Sequence, residues 1–512
     1  MKKIFKYFII PTSVIYFLYQ LWVENIELSL QSKLILIFLS ILIICFILNS
    51  YFKNNIANHF PIFLLANIYF LISYICLFIF DKNIIFNFRK PTIFFIEDYN
   101  FALLILFYGY ISFVAGYYLI IKNTVKYNRK GFDFFNLTNE EVYILGFTFV
   151  LINILLYYII KIQIYFPSIS QIKYPTLLTG IGFLTLYLSV NTENIFKYKS
   201  ILCITLIILP LIFEVLSGSY SFPFVVIFML TIFFSYCKKN FFVLPLFIIA
   251  ILFIFIHIGK YEYRKIVWSK NFNQNDVSKL SVFIDVYSNI FKKGSKSFKK
   301  EVLCKESVKD VYCKQYEDLQ LERRIFHSIE SLFLVTKYTK KDDFDFDKSL
   351  ELPHIRHGLK YVPFWNGYSY QILLTKVVPR IFWKNKPADT LGNEFGHRYN
   401  ILNKDDLEKN TKKDLNTSWN MPVLNEFYVN FGKIGVIFGM FIIGILFGII
   451  VKIASFENSK NAEFVVLFFL LLPLFFLESH LSLLLGAIIQ SYIFLIFIIY
   501  IFLIILRKFY KV

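Results

Sequence analysis

Apolar runs of about 20 residues recur along most of the chain, separated by short polar connections. A run such as "LILIFLSILIICFIL" (34–48) has no polar face to turn towards water. Each run is long enough to cross a hydrocarbon core of about 30 Å as a helix. The pattern predicts about twelve spans, at 4–23, 33–52, 60–80, 101–121, 142–162, 174–190, 200–217, 221–237, 240–258, 430–452, 463–478 and 481–506. A β-barrel would instead alternate apolar and polar residues in shorter segments. The expected class is an all-α polytopic membrane protein in three parts. These are an N-terminal membrane bundle over 1–258, one large extramembrane loop over 259–429, and C-terminal membrane helices over 430–512.

Composition agrees with that pattern. Of 512 residues, 57% are hydrophobic and 20% aromatic, and the mean hydropathy is +0.59; soluble domains average roughly 45–50% apolar residues. The opening "MKKIFKYFIIPTSVIYFLYQLW" has the basic head and apolar run of a secretory signal. It lacks a small-residue cleavage site, so it reads as a retained first span.

The net charge of +19 would suggest nucleic acid in a soluble protein. Here it is a matter of orientation, and no nucleic-acid partner is expected. With the N-terminus inside, short cytoplasmic connections carry about seventeen Lys and Arg residues and short outer connections about six. The positive-inside rule then places both termini in the cytoplasm and the 259–429 loop outside.

Within the loop, "SVFIDVYSNIFKKGSKSFKK" places Val282, Phe283, Val286, Ile290 and Phe291 on one helix face. It reads equally as a helix lying on the outer leaflet or as a packed loop helix. In "LERRIFHSIESLFLV", Arg323, His327 and Glu330 share a helix face, for which a solvent-facing polar stripe is the plainer account. Cys304 and Cys313 are the two cysteines of the loop, nine positions apart. In an oxidising compartment they are a candidate disulfide, worth about 2.7 kcal/mol by loop entropy.

Glu214, His257, Glu478 and His480 fall at the outer ends of spans. Ionisable residues there border cavities or anchor helices at the interface.

One stretch stands apart from its surroundings: "VVPRIFWKNKPADTLGNEFGHRY" (377–399). Pro379 and Pro387 bracket Arg380, Lys384 and Lys386, which predicts a shaped loop rather than a helix. Arg380 offers a planar fork for a phosphate, and the two lysines add point charges. Trp383 offers an apolar face for a sugar ring or a lipid boundary. Gly392 and Gly396 would let backbone approach a ligand. A diphosphate bearing a sugar and a lipid tail would need this set; a basic–aromatic anchor at the membrane surface is the plainer reading. Downstream, Glu426 lies just before the tenth span. That span's Gly432, Gly435, Gly439, Gly444 and Gly448 permit close helix packing.

"PRIFWKNKP", "GNEFGHRY" and "NEFYVNFGKIGVIFGM" together resemble the C-terminal half of bacterial O-antigen polymerases, the Wzy-type oligosaccharide repeat-unit polymerases. The resemblance in motifs covers residues 377–444; elsewhere it is one of architecture. It implies a GT-C-like membrane fold. It also implies transfer of a growing glycan from undecaprenyl diphosphate to the next lipid-linked repeat unit, outside the bacterial cytoplasmic membrane. The implied partners are undecaprenyl-diphosphate-linked glycans and the lipid bilayer, with a chain-length regulator left open. No metal or other cofactor is implied, and the first outer connection, "ENIELSLQSK", departs from the acidic motif of metal-dependent GT-C enzymes.

Departure of a diphosphate calls for positioned cations. Arg380, Lys384 and Lys386 are the first candidates, followed by Arg264, Arg323 and Arg398. The attacking hydroxyl must lose a proton to a base, for which Glu426 and His397 lead and His327 follows. An O-antigen ligase or another GT-C transferase is the nearest alternative, and a lipid-linked oligosaccharide flippase is the alternative from another class.

Overall fold

A computed structural model describes residues 10–24, 28–52, 61–76, 78, 96–122, 137–160, 170–190, 198–217, 221–237, 263, 267, 278–293, 328–339, 362–376, 383, 391–399, 419–454, 462–486 and 488–510. Among these residues helices are the dominant structure. The lone β-type contact is an isolated bridge between Thr339 and Val362. Six helices are long and apolar enough to cross a membrane, at Leu30–Asn49, Asp98–Lys122, Asn139–Ile159, Tyr198–Leu216, Val423–Lys452 and Leu481–Lys508. Three shorter apolar helices cover Ile62–Ile75, Val225–Phe234 and Phe464–Phe475. Over the described residues the chain is therefore an all-α membrane protein. The ninth predicted span, 240–258, lies outside the described residues, as does His257.

The closest pairing joins Ile96–Lys122 to Val423–Ala454 along much of their length. Glycine makes it possible. A Cβ at Gly109 would stand 2.9 Å from Val436 Cγ1, and one at Gly448 would stand 2.7 Å from Ile120 Cβ. At Gly116 and Gly444 the obstacle is main chain: the carbonyls of Phe441 and Phe113, respectively. In lipid, where burying apolar surface between helices brings no hydrophobic gain, such close approach is what holds helices together.

The expected glycine-lined span is thus present, but its start differs. The helix begins at Val423 and is interrupted at Gly432, whose φ of 62° and ψ of −149° only glycine adopts readily. Residues 423–431 form a separate short helix, folded so that the Phe427 ring covers Gly439. Phe364 lies against Gly432 on the other side.

Ion pairs and hydrogen bonds tie helix ends together in two groups. At one end of the bundle Arg507 Nε donates to Glu141 Oε1 at 2.7 Å, and Lys199 pairs with Glu140 at 2.7 Å. Glu141 also closes a capping box with Thr138. At the opposite end Lys337 pairs with Asp98 at 3.0 Å, and Ser29 donates to Asn100 at 2.6 Å.

The described parts of 259–429 do not stand off from the membrane helices. Ile329, Leu332, Phe333, Trp365, Leu391 and Phe395 are buried in one apolar core with Leu36, Phe70, Leu103 and Val436.

Candidate functional site

The end of the bundle near Asp98 carries a buried polar layer assembled from four stretches: 328–339, 362–376, 391–399 and 419–431. The short helix 423–431 is its centre. Its apolar residues face the core, yet Asn425, Glu426 and Asn430 are fully buried with them. Buried polar groups need partners, and most of these partners are distant in sequence. Asn425 Nδ2 donates to Ser331 Oγ at 2.7 Å. Asn430 Nδ2 donates to Ser369 Oγ at 2.9 Å, and Asn430 Oδ1 accepts from the Gly367 N–H at 2.9 Å. Trp365 N–H donates to the Val429 carbonyl at 2.8 Å. This last group of bonds fixes the turn at Asn366–Gly367, where both residues have positive φ.

Glu426, the leading candidate base, is tied to the next membrane segment. Its Oε2 accepts the N–H of Leu481 at 2.7 Å, and Val423 N–H donates to the Leu477 carbonyl at 3.0 Å. The carboxylate thus satisfies the first N–H of the helix that follows His480, a group with no partner inside its own helix. His480 is itself buried, and Glu478 is half-buried within electrostatic reach of Tyr69 and Tyr74. Glu214 is accounted for separately: Lys173 pairs with it at 2.6 Å, and the Tyr158 hydroxyl donates to it at 2.7 Å.

The second element of the site is the helix Leu391–Arg398. The C-terminal part of the 377–399 stretch, expected as a shaped loop, is helical here, with Gly392 and Gly396 in the helix and the Gly392 carbonyl accepting from Trp419 N–H at 3.0 Å. The helical register explains the difference. It turns Leu391 and Phe395 into the core and brings Glu394 and Arg398 together at i and i+4.

Arg398 forms an ion pair with Glu394, and its guanidinium lies over the Trp365 ring at 4.8 Å. Its side chain keeps 19% of its exposure, whereas Glu394 is buried. Burial pushes the Glu394 carboxyl above the usual carboxylate range, and Arg398 and Tyr368 oppose that shift. The Tyr368 hydroxyl is pushed up to about 12, by burial first and by Glu394 second.

The other sequence candidates are distributed as follows. Trp383 is exposed. His397 lies on the helix Leu391–Arg398, one residue before Arg398. Arg380, Lys384, Lys386, Arg264, Arg323, His327, Cys304 and Cys313 lie outside the described residues. Glu330, expected on a solvent-facing stripe, is buried in the helix 328–338. Of the predicted site residues, the structure therefore gathers Glu426, Arg398 and the helix carrying His397 at one end of the bundle.

Sequence reasoning missed Glu394, Trp365 and Tyr368. Glu394 was within reach, because it stands four positions before Arg398 in "GNEFGHRY". Trp365 and Tyr368 had no comparable local signal.

Among the described residues no group of three or more His, Cys, Asp or Glu side chains could hold a metal ion. No protein-family model, no curated protein and no solved structure matches the chain.

Proposed function

We propose that the chain polymerises undecaprenyl-diphosphate-linked oligosaccharide repeat units into a surface polysaccharide. In this reading about twelve spans form a GT-C-like scaffold in the bacterial cytoplasmic membrane. Both termini are cytoplasmic, and the 259–429 region faces outward. The observation that supports it most is the seating of Arg398. A guanidinium stacked on Trp365 and ion-paired to Glu394 is held in one place beside the ends of apolar helices. A lipid diphosphate meets the protein at that depth, and its departure as a leaving group requires a cation already in position. Arg380, Lys384 and Lys386 precede this helix by a few residues and complete the cationic set in the proposal. His397 neighbours Arg398 and is the preferred base. Glu426, with one carboxylate oxygen engaged by Leu481 N–H, is assigned to holding the site together.

The test is a chromosomal knockout complemented with variants. Loss of the chain should abolish long-chain polysaccharide, leave single-repeat caps, and load the outer leaflet with lipid-linked single repeats. Arg398→Ala should reproduce that phenotype with protein level intact, at a rate loss of about 10²–10³-fold. Arg398→Lys should restore activity in part, because a point charge does not replace a planar fork. Absence of all caps would indicate a ligase, and accumulation on the inner leaflet would indicate a flippase. Either outcome would overturn the proposal.

A further inference from the structure

The helix Lys279–Lys293 carries more apolar surface than its contact with the protein covers. Val282, Val286 and Tyr287 are buried against Tyr263 and Val267, with Val215 packed alongside. Leu280 and Ile284, one turn apart, are 53% and 56% exposed. An amphipathic helix serving one contact needs a single apolar stripe; here the apolar arc is divided, half covered and half open.

The helix sits where a membrane helix ends. Tyr263, at the centre of its contact, donates through its hydroxyl to the Leu216 carbonyl at 2.6 Å. Leu216 is the last residue of Tyr198–Leu216. Ile201, Ile204, Ile208 and Ile212 form an exposed stripe up that helix, at spacings of three and four. In a membrane helix such a stripe is the lipid-facing one. It runs directly to the level of Lys279–Lys293.

We propose that Lys279–Lys293 is an interfacial helix whose Leu280 and Ile284 enter the bilayer where Tyr198–Leu216 leaves it. The covered half grips the protein and the open half grips lipid, so the helix holds the start of the long loop against the membrane surface. Among the described residues the open patch is two aliphatic side chains, small beside the roughly 800 Å² per partner of a stable protein interface, and its continuity with the exposed isoleucine stripe favours lipid as the occupant. The inference rests on the membrane reading of the chain and is independent of its enzymatic activity.

Nitroxide labels at Leu280→Cys, Ile284→Cys and Asp285→Cys, on a background with the six native cysteines replaced, report the environment directly. In full-length protein reconstituted into phosphatidylcholine–phosphatidylglycerol vesicles, labels at 280 and 284 should collide with oxygen several-fold more than with a water-soluble nickel chelate. The label at 285 should show the reverse. Equal nickel access at 284 and 285 would overturn the proposal, as would a label at 284 shielded from both reagents, which indicates a protein contact. A photo-crosslinking residue at 284 in the otherwise native chain repeats the test without removing cysteines. A phospholipid adduct supports the proposal, and a cross-link to a second copy or no adduct overturns it.

Discussion

Gly444 lies against the main-chain carbonyl of Phe113, and Gly116 lies against that of Phe441, so two helices meet backbone to backbone at two points. Neither carbonyl can rotate away without breaking its own helix. An added Cβ must therefore push the helices apart. Gly116→Ala or Gly444→Ala should each destabilise the folded protein by about 1–3 kcal/mol, the usual cost of overpacking. Valine at either position should cost more. Thermal inactivation of purified protein in detergent measures the effect, and wild-type behaviour of both alanine variants would contradict the packing described.

Gly432 presents a different constraint. Its φ of 62° and ψ of −149° belong to glycine almost alone, and Phe364 ring atoms stand 3.3 Å from where a Cβ would be. Gly432→Ala should cost about 1–3 kcal/mol. The damage should be local to 423–431, and hydrogen exchange should show faster exchange of those amides than of 440–450.

Glu394 supplies a pH dependence. Its folded-state carboxyl is raised, chiefly by burial, so the folded state holds its proton more tightly than the unfolded state does. The associated stability is fully present below the ordinary carboxylate range. It is lost as pH rises through that range to the raised folded value. Protection of amides in 391–399, corrected for intrinsic exchange, should fall over that interval. Glu394→Gln should flatten the curve. A slope unchanged by Glu394→Gln would assign the dependence to another group.

Cys304 and Cys313 should be joined in protein taken directly from membranes. A maleimide added with denaturant should label neither until a reductant is present. A periplasmic reporter fused near residue 350 should be active in the same topology and one near residue 127 inactive. Labelling of both thiols without reduction would reject the bridge, and the inverse reporter pattern would reject the orientation.

The apolar runs were legible because a membrane helix must satisfy its backbone within itself, which leaves a local signature in every span. The glycine series from Gly432 to Gly448 was likewise legible as a site of close packing. Its partner was not, because nothing local links that series to Gly109 and Gly116. The same limit explains Glu426. Its position before a span suggested a base; that one of its carboxylate oxygens accepts from Leu481 N–H, 55 residues later in the chain, leaves no local signal. The i to i+4 spacing of Glu394 and Arg398 was a local signal, hidden by reading "LGNEFGHR" as part of a loop when Leu391 and Phe395 place it on a helix.

The pairing of Ile96–Lys122 with Val423–Ala454 has a consequence for how the protein is made. Three hundred residues, 123 to 422, separate the two helices. At roughly 5–20 residues per second, the first helix waits about 15–60 s for its partner to emerge from the ribosome. During that interval Gly109 and Gly116 are uncovered in the membrane, a notch open to any passing helix with a small-residue face. A ribosome that stalls before residue 423 therefore leaves Gly109 and Gly116 without the helix they pack against.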